Sequence, residues 1–131
     1  KKLATFKDYT TICSSAPSEI LAIMAIRAKD RIIKRNLEII NSNLTLLDRF
    51  FDQNIDRFEW SKPKAGTIGF PSLKTSQKID ELCSNLVKKQ GVMLLPSSVY
   101  NYDGNNFRIG FGRKNMPSAL EQLKKYTDEQ K

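Results

Sequence analysis

The residues of this sequence best suited to chemistry sit in one short segment, Phe107-Arg108-Ile109-Gly110-Phe111-Gly112-Arg113. Its alternation would place Phe107, Ile109 and Phe111 on one face of a strand, with Arg108 and Gly110 on the other. A guanidinium held on a strand, with a glycine leaving room beside it, suits bidentate binding of a carboxylate or phosphate. An exposed strand arginine without a ligand is the plainer reading, and the segment alone favours it. Other chemistry is narrowed by composition. The chain has no His, and Cys13 and Cys83 have no Cys neighbour at metal-ligand spacing. A zinc site and His-based nucleophilic or acid–base catalysis are therefore not expected. No secretory signal pattern is visible, so both thiols read as reduced, as in the cytoplasm.

The bulk properties set the frame for that arginine. With 131 residues, 40% hydrophobic and 27% charged, the chain reads as a single folded domain with a modest core, residues 1–131. No apolar run is long enough to span a bilayer, so no membrane partner is expected. The chain begins without an initiator Met, which points to a piece of a longer protein. The net charge of +8 would suit a nucleic-acid partner. However, its Lys and Arg are interleaved with Asp and Glu and form no aromatic–basic strand, so solvated faces account for them and no nucleic acid is expected.

The element that must carry everything else runs from Ser18 to about Asn54 without a Pro or Gly. Ile33, Leu37, Ile40, Leu44, Leu47 and Phe51 recur at spacings of four and three, one stripe of a helix, and Ile26, Ile32, Ile39, Leu46 and Phe50 widen it. Such a helix would be roughly 50 Å long, longer than a domain of this size is wide, so it is either kinked or part of something larger. Before it, Lys1 to Ser15 lacks a helical period and Tyr9 to Ile12 favours extended backbone. Ser15 is a candidate helix cap with Pro17 in the first turn. After the helix, Phe58-Glu59-Trp60 and Thr67-Ile68-Gly69-Phe70 read as strands that could pair as a hairpin. Thr75 and Ser76 open a helix burying Ile79, Leu82, Cys83, Leu86 and Val87, closed by Gly91. Val92 to Leu95 reads as a strand covered on both faces. Pro117 starts a last helix with Leu120, Leu123 and Tyr126 inward. The expected class is α+β: a long N-terminal helix and two further helices packed on one face of a small, mostly antiparallel sheet of three or four strands.

Taken in order, these pieces resemble the C-terminal small domain of a class I/II, fold-type-I, pyridoxal-phosphate-dependent aminotransferase. The matching segments are Tyr9-Thr10-Thr11-Ile12; Ser14-Ser15-Ala16-Pro17-Ser18-Glu19 before the long helix; Phe58-Glu59-Trp60 with the Pro63-Lys64-Ala65-Gly66 turn; Gly91 to Ser98; Asn106 to Gly112; and the closing helix at Leu120–Leu123. Together they cover nearly the whole chain.

The resemblance implies that Arg108 is the arginine gripping the substrate α-carboxylate. Ser14 and Ser15 would match a loop approaching the cofactor site of the other subunit, although relatives often carry Asn where Ser15 stands. Lys1 and Lys2 fall where the family has a linking helix. The Schiff-base lysine, the pyridinium Asp and the phosphate cup would lie upstream, the lysine about thirty residues before Tyr9. The piece would hold no pyridoxal phosphate and be inactive alone. In the intact enzyme, a homodimer with a large domain, it would bind the amino acid or 2-oxo acid and close the site. Two other readings stay open: a stand-alone basic α+β module binding nucleic acid or an acidic protein, and a dimerisation fragment built on the long helix.

Overall fold

The structure, a computed structural model, describes residues 2–11 and 13–130. They fall into two compact units, Lys1–Arg35 and Asn36–Lys131. The fold is α+β, with five α-helices and five short strands among the described residues.

The first unit departs from the sequence reading at its start. Lys2–Thr10 is a helix, α1, instead of extended chain, while Ile12 lies outside the described residues. The β preference of Tyr9 and Thr10 is weak beside the helix-forming run from Lys2 to Lys7. The hydroxyl of Thr10 donates to the Lys7 carbonyl (3.1 Å), closing the last turn. The long helix is interrupted, one of the two outcomes its length allowed, with α2 spanning Ala16–Arg27 and α3 spanning Lys29–Asp52. Ala28, at φ −96° and ψ 9°, makes the break. α2 is apolar on every side and Ile20, Leu21, Ile23, Met24 and Ile26 are all exposed.

The second unit holds the core. Leu47, Phe50 and Phe51 of α3 are buried, whereas Ile33 and Leu37 are exposed and Ile40 and Leu44 pack only partly against the core. The stripe is thus core over its last three turns and not along its full length. Phe51 meets Phe58 edge-on (5.7 Å, 80°) and Phe58 meets Phe107 (5.9 Å, 71°), a geometry favoured by the ring quadrupoles. Asn43, buried on the same helix, donates to the carbonyls of Phe111 (2.9 Å) and Arg113 (2.8 Å). These two carbonyls follow the last strand, so one amide ties that strand's exit to α3.

The sheets are antiparallel but not paired as the sequence suggested. β1 (Phe58–Glu59) and β2 (Ile68–Gly69) do not form a hairpin. β1 pairs with β3 (Ser72–Leu73), and β2 pairs with β5 (Phe107–Gly110) in a three-stranded sheet ordered β2-β5-β4. Strands of two residues leave partner choice to tertiary packing, and Pro71 separates β2 from β3.

β4 is only Leu95–Pro96, and Met93, at 73% exposed, shows that Val92–Leu94 is not covered on both faces. Pro96 is tolerated because β4 is an edge strand. A 3-10 turn, Ser97–Tyr100, follows it.

Helix α4 runs Ile79–Gln90, starting later than Thr75 and Ser76. Its first N–H is met by the Asn105 side-chain oxygen (2.8 Å) from a distant loop, which removes the need for a local Ser or Thr cap. Ile79, Leu82, Cys83 and Leu86 are buried as expected, but Val87 is 45% exposed. Gly91 closes the helix at φ 67°, a left-handed conformation that glycine adopts without strain. Helix α5, Met116–Asp128, buries Leu123 and Tyr126.

Asn43→Leu removes the donor for two carbonyls. It is expected to cost about 1–3 kcal/mol of stability, read as a lower urea midpoint at unchanged slope.

Candidate functional site

The site is built on β5. Phe107 and Ile109 are buried on its inner face, so the two-residue period sends Arg108 and Gly110 outward. Leu95 stands opposite Arg108 on β4, and Ile68 opposite Gly110 on β2. A Cβ added to Gly110 would meet nothing within 4 Å, so the room beside Arg108 is open. Arg108, Ile68, Phe70 and Tyr100 line a cleft of about 350 Å³.

Arg108 is the cleft's one charge. Its Nη1 lies 3.4 Å from the Tyr100 hydroxyl, a long hydrogen bond, and among the described residues no carboxylate pairs with it. The walls are aromatic. Phe70 packs edge-on against Tyr100 (6.2 Å, 82°) and at 62° against Tyr102 (5.9 Å). A positive fork beside apolar walls is suited to an organic carboxylate, which it can grip through two parallel N–H···O bonds.

β2, which carries Ile68, is supported from behind. The Trp60 ring stacks on Phe51 (4.6 Å, 18°) and covers Gly69 so closely that a Cβ there would lie 2.5 Å from Trp60. Only glycine leaves that ring its place. Asp48 accepts from Trp60 Nε1 (2.8 Å) and from Lys62 Nζ (2.6 Å). Burial alone would raise the Asp48 carboxyl, but the hydrogen bonds from Lys62 and Trp60, with the Lys62 charge, hold it below its ordinary value.

Of the other sequence candidates, Ser14 and Ser15 are exposed and belong to the first unit. Ser15 does occupy the cap position of α2 and accepts the Glu19 N–H on its carbonyl (3.1 Å), but its side chain makes no cap bond. Cys83 is buried, and burial followed by the Asp80 carboxylate pushes its thiol up to about 11, so it is protonated at neutral pH. Among the described residues no group of three His, Cys, Asp or Glu could hold a metal ion, and no helix is long and apolar enough to cross a membrane. Sequence reading missed Ile68, Phe70 and Tyr100 as cleft walls. The visible signal was a pair of tyrosines, Tyr100 and Tyr102, in an otherwise polar loop.

Comparison with known proteins gives this arrangement a context. No family model matches the chain. A pyridoxal-phosphate-dependent aminotransferase from Streptococcus suis superposes with a TM-score of 0.85 at 25% identity, over 97% of this chain and 34% of its own. This chain has the fold of the C-terminal small domain of a fold-type-I aminotransferase. A pyridoxal-phosphate-dependent cyclase, OrfR, shares the fold with a TM-score of 0.82 at 21% identity, over 97% of this chain and 35% of the cyclase. Capreomycidine synthase from Streptomyces vinaceus is 24% identical over 110 residues, 84% of this chain and 28% of the synthase. This chain thus spans about a third of the length of the proteins it matches.

The Asp48 shift has a testable sign. Its folded value is depressed, so its stabilisation is present above 3.8 and is lost as pH falls through the lower folded value. Asp48→Asn is therefore expected to lower the melting temperature at pH 7. It should also show a smaller loss than the wild type between pH 4 and pH 2, as followed by circular dichroism.

Proposed function

We propose that this chain is the small domain of a pyridoxal-phosphate-dependent aminotransferase that moves an amino group between an amino acid and a 2-oxo acid. In this reading the single domain 1–131 supplies Arg108 to grip the substrate α-carboxylate and swings to close the site. The observation that carries it is the state of Arg108: outward, exposed, unpaired with any described carboxylate, and set over an apolar cleft. All amino-acid and 2-oxo-acid substrates share a carboxylate. A fork–fork ion pair to it both binds the substrate and fixes the orientation of its Cα bonds.

Pyridoxal phosphate would supply such an enzyme with an electron sink for chemistry at the substrate Cα. The residues of this chain do not fit the task of holding it. A lysine bonding the cofactor must stand beside the substrate, whereas none of the described lysines lines the Arg108 cleft. We therefore assign the cofactor lysine, the pyridinium Asp and the phosphate cup to a large domain outside this chain, and expect this piece alone to be inactive. Ser14 and Ser15 are assigned, in an intact homodimer, to the cofactor site of the partner subunit. We place the intact enzyme in the cytoplasm, as suggested by the two isolated cysteines of a sequence without a visible secretory signal pattern.

A second reading has its own support: a cyclase and a synthase stand among the relatives. The intact enzyme would then perform another reaction at an amino-acid Cα, with the same role for Arg108.

In the intact enzyme, Arg108→Ala is expected to lower kcat/KM by about 10- to 100-fold, mostly through KM, as fits loss of charged hydrogen bonds. Arg108→Lys, which keeps the charge but loses the fork, should fall between. The visible spectrum of the bound cofactor should not change. Unaltered activity in Arg108→Ala would exclude the role.

A further inference from the structure

We propose that Tyr100 is a positioning residue for Arg108: its hydroxyl orients the guanidinium and its ring forms one wall of the cleft. The inference rests on the reading of Arg108 as the carboxylate grip and adds the group that prepares it.

An arginine on a strand is a flexible stem, and ordering it when a ligand arrives costs rotamer entropy. A site that binds through one arginine gains by restraining it beforehand. An aspartate would do so but would neutralise the charge and compete with the substrate. A tyrosine hydroxyl restrains without neutralising. The Tyr100 hydroxyl is the one hydrogen-bond partner of the guanidinium among the described residues. It meets Nη1 at 3.4 Å, leaving Nη2 and Nε as an open edge for a carboxylate fork. The length of this contact leaves room for it to shorten as a ligand draws the guanidinium into place.

The tyrosine is itself held. It ends the 3-10 turn Ser97–Tyr100, and the next residue, Asn101, reverses the chain at φ 52°. The turn is fastened by the Ser97 N–H on the Asn106 carbonyl (2.8 Å) and by the Ser98 hydroxyl on Asp80. Phe70 buttresses the ring edge-on, and the Asn106 side chain in turn donates to the Phe70 carbonyl (3.3 Å). Position 100 is therefore fixed from both the α4 side and the β2 side, as a residue that aims another must be.

The test is steady-state kinetics on the intact enzyme, with two probes: the proteinogenic L-amino acid it turns over fastest, and that amino acid's carboxamide. Tyr100→Phe keeps the ring and removes the hydroxyl. It is expected to raise KM for the acid about 3- to 10-fold, the worth of one net hydrogen bond, with most of the loss in KM and with KM for the amide unmoved. Tyr100→Leu should cost more. In an Arg108→Ala background, Tyr100→Phe should add nothing, because there is no guanidinium left to aim. Equal KM increases for acid and amide, or none for either, would overturn the positioning role while leaving the Arg108 grip intact. If Arg108→Ala itself failed to separate acid from amide, the carboxylate reading would fall, and the role of Tyr100 with it.

Discussion

The burial of Phe107 and Ile109 on one face of β5 is the constraint on which the site depends. Each such side chain contributes roughly 1.5–3 kcal/mol when taken out of water. Phe107 is locked edge-on to Phe58, and through it to Phe51 of α3. A one-residue slip of β5 would exchange these residues for Arg108 and Gly110. It would expose two large apolar side chains and bury an unpaired guanidinium, a combination no short strand could sustain. The arginine faces outward because its neighbours must face inward.

Short strands supply few ladder hydrogen bonds, so side chains do much of the fastening. Two asparagines supply five such bonds. Asn43 ties the exit of β5 to α3. Asn105 tops α4 and also donates to the carbonyls of Leu73 and Gln77, joining the loop before β5 to β3. Amides suit this work because each offers both donors and an acceptor without the desolvation cost of a charge. The cleft walls follow from it: Tyr100 lies between the segments that Asn105 and Asn106 secure, and Ile68 lies on the strand that Trp60 backs.

What the sequence made legible was periodic or chemically punctuated. The alternation of Phe107 to Phe111, the Gly91 cap and the Pro117 start were all readable, because a strand period, a left-handed glycine and a helix-opening proline each have local causes. A break in the long helix was one of the two outcomes its length allowed, but its place at Ala28 was not readable, since no Pro or Gly marks it. The β1–β3 and β2–β5 pairings were not either: strands of two residues leave partner choice to tertiary packing. The late start of α4 was hidden because its cap comes from Asn105, 26 residues away. In the site, Arg108 was readable from its strand position, while Ile68, Phe70 and Tyr100 reach it from separate segments that only the fold brings together.

The central claim is that Arg108 turns its fork toward a ligand carboxylate. A crystal structure of the intact enzyme with a bound amino-acid or 2-oxo-acid analogue tests it most directly. The account predicts both carboxylate oxygens within about 3 Å of the Arg108 guanidinium nitrogens. A carboxylate seated on another cation, with Arg108 left in solvent or paired with a protein carboxylate, would contradict it.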